Sequence, residues 1–104
     1  MANTGERNRR LRGEVLKVIY KNHGAQQARM DEMTLTSVLE GLHFDVHVNL
    51  VREILHDLKD RGLVSFEEPR DRRSGASPIR QIQITPEGRD IIEKTGRNPG
   101  VEVD

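Results

Sequence analysis

Apolar positions along this chain follow two rhythms. From about Arg7 to His23 they fall at Leu11, Val15, Val18 and Ile19, with Leu16 and Tyr20 on the flanks. Steps of four, three and one trace the stripe of an amphipathic helix. Asn22-His23-Gly24 supplies its stop, with a glycine placed for a left-handed C-cap. Gly13 inside the helix costs it about 1 kcal/mol relative to Ala. Residues 24–33 carry little pattern and fit either a loop or an early start of the next helix. The stripe returns at Leu35, Val38, Leu39 and Leu42, with Thr34 as its expected N-cap and an end near Gly41 to His43. Phe44-Asp45-Val46 reads as a turn. Asp45 or His47 then caps a third helix, striped by Val51, Ile54, Leu55 and Leu58, which stops at Arg61-Gly62.

After Gly62 the period changes from 3.6 to 2. Leu63 to Glu68 alternates with Val64 and Phe66 on one face, and Arg80 to Thr85 alternates with Ile82 and Ile84 inward. Pro69 to Pro78 between them is rich in turn formers, so the pair reads as a β-hairpin with a long tip. Thr85-Pro86-Glu87-Gly88 opens a last helix, with Thr85 as cap, Pro86 in the first turn and Ile91 and Ile92 packing inward. The predicted organisation is a flexible start over 1–6, one domain over 7–95 and a flexible tail over 96–104. Its fold class is α+β: three helices, a hairpin and a C-terminal helix.

Composition narrows the chemistry. The chain has 104 residues, 34% of them apolar and 33% charged, with no cysteine and only Tyr20, Phe44 and Phe66 as aromatics. That suffices for one domain with a thin aliphatic core. Disulfides, thiolate metal sites and cysteine nucleophiles are excluded. No apolar run approaches the ~20 residues that span a bilayer, and the start lacks a hydrophobic signal segment, so the expected location is the cytoplasm. No nucleophile elbow, phosphate loop or zinc-protease motif is present. Glu67 and Glu68, adjacent on a strand, point to opposite faces and cannot work as an acid–base pair. His43 and His47 have helical ligand spacing, but the run around them reads as a turn and lacks a third ligand. Neither an enzyme, a cofactor nor a metal is expected.

The order of elements and two junctions resemble the winged helix-turn-helix superfamily, particularly MarR-like and PadR-like bacterial transcription regulators. Leu58, Gly62, Leu63 and Val64 match its common passage from third helix to first wing strand. Ile84-Thr85-Pro86-Glu87-Gly88 is similar to its exit from the wing. The resemblance covers about residues 8–95. It implies that the third helix enters the major groove of duplex DNA and that the wing reaches the backbone or a minor groove. Carried over by position, His47, Val48, Asn49 and Arg52 would face bases, with His56 further along. Arg70, Arg72 and Arg73 would sit at the wing tip, with Arg80 on the return strand.

Charge qualifies that expectation. The formal net charge is zero, yet residues 1–23 hold six basic against two acidic side chains, and residues 69–81 four against one. These islands can face phosphates, so Arg9 and Arg10 join the wing as candidate contacts. Residues 46–61 carry three basic and three acidic side chains. A neutral third helix suits a protein groove as well as DNA. The expectations are therefore a DNA-binding homodimer, joined through its first and last helices, and alternatively a protein-interaction or assembly module. RNA binding ranks below both, because no aromatic platform for stacking bases is evident.

Overall fold

The computed structural model describes residues 4–24, 30–68, 79–94 and 101, and the side chains of 4–7, 23 and 24 are outside that description. Its elements are α1 (Thr4–Gly24), α2 (Glu32–Gly41), α3 (Val48–Asp60), β1 (Val64–Glu67), β2 (Arg80–Ile84) and α4 (Pro86–Ile92). The result is a small α+β domain with four helices and a two-stranded antiparallel hairpin among the described residues. This arrangement is compatible with a winged helix. Helix α1 begins at Thr4, inside the stretch expected to be flexible. Of the expected tail, Val101 alone is described, and it is buried.

Each boundary has a local cause. The carboxylate of Asp31 accepts from the Thr34 amide at 2.7 Å, so Asp31 caps α2 in place of the expected Thr34. That hydrogen bond lowers the Asp31 pKa from its ordinary value, against an opposing effect of burial. His47 caps α3 through Nδ1, which accepts from the Leu50 amide at 3.3 Å. At the far end Leu63 N–H donates to the Leu58 carbonyl and Gly62 N–H to that of Lys59. This is a Schellman closure, and Gly62 takes the left-handed conformation it requires at φ 76°. The end of α2 closes the same way, Phe44 to Leu39 and His43 to Glu40, but with His43 at φ 70° in the glycine position.

The hairpin is out of simple register. Val64 faces Ile84 and Ser65 faces Gln83, whereas Glu67 faces Arg80, one residue out of step. Gln81 at φ 57° is the extra residue of a β-bulge. Without it, strict alternation would turn Ile79 away from the core while Ile82 and Ile84 point in. With it, all three are buried. The strand edge is covered as well: the Glu32 amide donates to the Ile79 carbonyl at 2.9 Å and the Ile82 amide to that of Met30 at 3.1 Å. Residues leading into α2 thus lie against β2 and protect it from pairing with other chains.

Two helices turn faces other than those their apolar spacing suggests. In α1 the buried set is Leu11, Val15, Leu16 and Ile19, while Val18 is only partly buried. In α2 the buried stripe is Glu32, Leu35, Thr36 and Leu39, which leaves Val38 and Leu42 exposed at 38% and 52%. Both stripes available to α2 have helical spacing. The one used contains two polar residues because both are satisfied: Thr36 Oγ1 donates to the Glu32 carbonyl at 2.7 Å, and the Glu32 carboxylate has partners described below. Helix α1 packs on β2, α2, α3 and α4, and α3 packs on α2 and β1, around a core whose fully buried apolar side chains are aliphatic or methionine. Tyr20 OH donates to Glu93 at 2.9 Å, tying α1 to α4, and this bond raises the Tyr20 pKa above its ordinary value.

Candidate nucleic-acid interface

Helix α3 and its N-cap carry the five residues expected along the recognition helix: His47, Val48, Asn49, Arg52 and His56. The helix packs against α1, α2 and β1 and buries Val51, Ile54, Leu55 and Leu58, so the opposite side of α3 is turned outward. His47 and Asn49 are exposed in its first turn and Val48 is half-buried. His47 already spends Nδ1 on the cap, which leaves Nε2 for an outside partner. Asn49 keeps an amide that can both donate and accept, the chemistry that reads adenine in a major groove.

The other two residues of this helix are engaged within the fold. Arg52 Nε donates to Glu32 Oε2 and Nη2 to Oε1, the latter at 3.0 Å, in a two-pronged ion pair. Glu32 is 2% exposed, and its Oε1 also accepts from the Ile79 amide at 3.3 Å. A carboxylate this deep requires such partners. The Glu32 hydrogen bond raises the Arg52 pKa from its ordinary value, so the guanidinium stays charged. Arg52 therefore serves first as the counter-ion that allows Glu32 inside. His56 stacks edge-on to Phe66, ring centroids 5.4 Å apart, with Nε2 3.1 Å from a Glu68 oxygen. Lys59 lies 4.6 Å over the same ring. These contacts brace the second half of α3 against β1.

The basic islands are only partly described. Arg9 and Arg10 are exposed on α1. Arg80 is exposed on β2 and sits 3.8 Å from Glu67 across the hairpin. Arg70, Arg72 and Arg73 lie outside the described residues. On the inner edge of α1, Arg12 Nη2 pairs with Asp57 of α3 at 3.1 Å, which removes one acid of α3 from the electrostatic balance of its exposed surface.

His43 and His47 do not share a helix: one closes α2 and the other opens α3. Among the described residues no group of three or more His, Cys, Asp or Glu is arranged to hold a metal. No helix there is long and apolar enough to cross a membrane. The residue that sequence reasoning missed is Glu32. Its signal was present in the spacing 32, 35, 36, 39, but a stripe containing a glutamate and a threonine loses to an all-aliphatic one when polar partners are unknown.

No protein-family model, curated protein or solved structure matches this chain.

Proposed function

We propose that this chain is a winged-helix DNA-binding transcription regulator working in the cytoplasm. In this reading the first turn of α3 meets base edges, and the wing and N-terminal arginines hold the phosphates. One observation carries it: α3 is buried by one face against α1 and α2, exposes His47 and Asn49 at its start, and runs directly into an antiparallel hairpin. His47 and Asn49 are the base-reading candidates. Arg9, Arg10, Arg70, Arg72, Arg73 and Arg80 supply the electrostatic term, while Arg52 and His56 orient α3 from within. Duplex-DNA titration by fluorescence anisotropy tests the reading. Binding should weaken several-fold with Asn49→Ala on a preferred sequence and little on random DNA.

A second reading has its own observation. Arg52, Asp57 and His56 of α3 are all paired inside the domain, and Val38 and Leu42 stand exposed on α2. Such a charge-satisfied module with an apolar flank suits assembly with protein. Absence of DNA binding even at low salt would favour this second reading.

A further inference from the structure

One oxygen of the Glu32 side chain bridges two elements distant in the chain. Oε1 accepts from Arg52 Nη2 of α3 at 3.0 Å and from the Ile79 amide at 3.3 Å, while Oε2 accepts from Arg52 Nε. The Glu32 amide in turn donates to the Ile79 carbonyl at 2.9 Å. Ile79 is thus held by both its N–H and its C=O. Glu32 and Ile79 are buried, so this joint is shielded from water. Arg52 stands three residues after Asn49, on the same side of α3, and Arg80 follows Ile79 at the start of β2. Asn49 and Arg80 are both exposed. The second half of α3 is braced on β1 by His56 and Phe66. Glu32 ties its first half to β2.

We propose that Glu32 is a positioning residue for nucleic-acid recognition, fixing the first half of α3 against the start of β2 so that Asn49 and Arg80 meet a duplex at a set spacing. The use of the joint rests on the DNA-binding reading; the joint itself does not. The backbone bond from Glu32 to Ile79 is open to any residue at position 32, whereas the link onward to α3 needs the Glu32 side chain. Charge and position make opposite demands here. Removing the carboxylate frees Arg52 and makes the chain more positive, which by itself strengthens DNA binding. Loss of position weakens it.

Amide hydrogen exchange by NMR and duplex-DNA anisotropy, both on the full chain, test the proposal. In Glu32→Ala the Ile79 and Ile82 amides should exchange about ten-fold faster relative to those of Leu16 and Leu55. Affinity for duplex DNA should fall about ten-fold, as when one good base contact is misplaced. Glu32→Gln loses the same charge but can keep an oxygen at the Oε1 position for both Arg52 and Ile79. It should stay within about three-fold of wild type in both readouts. If circular dichroism shows Glu32→Ala unfolded, Glu32→Asp keeps the charge, retracts the carboxylate by one methylene and should shift both readouts in the same directions. Equal acceleration at all four amides would overturn the proposal. So would a folded Glu32→Ala that binds DNA as tightly as wild type, or a Glu32→Gln that behaves like Glu32→Ala. Wild type that binds no duplex would overturn the DNA reading and the use of the joint with it; the exchange pattern separates that failure from absence of the joint.

Discussion

Thr85 and Gly62 are joined by a hydrogen bond: Thr85 Oγ1 donates to the Gly62 carbonyl at 2.6 Å while accepting from the Gly88 amide at 3.1 Å. The Thr85 amide also donates to the Leu63 carbonyl at 3.1 Å. Two short motifs more than twenty positions apart are thus one structural joint. The helix-to-strand turn at Gly62-Leu63 is held by the strand-to-helix turn at Thr85 to Gly88. A β-carbon on Gly88 would stand 2.2 Å from the Leu63 carbonyl oxygen and 2.9 Å from Ile84 Cγ1. Gly62 has open space around it and is needed for its φ alone.

The two glycines should therefore differ in cost. Gly88→Ala forces backbone apart and is expected to lose up to about 3 kcal/mol. Gly62→Ala meets only the left-handed penalty, about 1 kcal/mol. Urea unfolding of both variants checks the order. Equal losses would mean that close approach at Leu63 is not what excludes a side chain from position 88.

His43 sits where a glycine would be relaxed. His43→Gly should raise stability by about 0.5–1 kcal/mol, the relief of a left-handed L-residue less the extra freedom of the unfolded glycine. The thermal midpoint should rise. A fall would show that the histidine side chain contributes a contact that outweighs its backbone strain.

Arg52→Ala leaves the Glu32 carboxylate buried with the Ile79 amide alone and should cost about 3 kcal/mol. Glu32→Gln keeps an acceptor for that amide and should cost less, about 1–2 kcal/mol. Replacing both by methionine should recover much of the Arg52→Ala loss, because no charge then remains inside. A methionine pair no more stable than Arg52→Ala would contradict a coupled pair.

Asp31 gives a pH signature. Its pKa is lowered in the folded chain by the Thr34 amide. The stabilisation is therefore complete above the unfolded carboxylate pKa and is lost as pH falls through the lower folded value. Asp31→Ala should cost about 1 kcal/mol at neutral pH. The gap from wild type should close in acid. A gap that persists at low pH would assign the loss to something other than the charged cap.

The element order was legible because helices and strands imprint different periods, and because Pro86, Gly62 and Thr85 have local roles that no distant contact overrides. What failed was the choice between two stripes on α2. Leu35, Val38, Leu39 and Leu42 form the more apolar set, yet the fold buries Glu32 and Thr36 with Leu35 and Leu39. That choice depends on Arg52 twenty residues away and on Ile79 beyond it. The bulge at Gln81 was hidden for a similar reason, since only the burial of Ile79 demands the change of phase. At the candidate interface, sequence position marked the exposed His47 and Asn49. It could not reveal that Arg52 and His56 have partners within the domain.

Contact between the arginine islands and DNA phosphates would make binding depend steeply on salt. Affinity for duplex DNA should be measured at several salt concentrations for wild type and for Arg72→Ala with Arg73→Ala. Binding is expected to fall steeply with salt, and the double variant should flatten the log–log slope by about 2, one for each phosphate contact removed. No binding at low salt, or a slope unchanged by the two substitutions, would contradict the account.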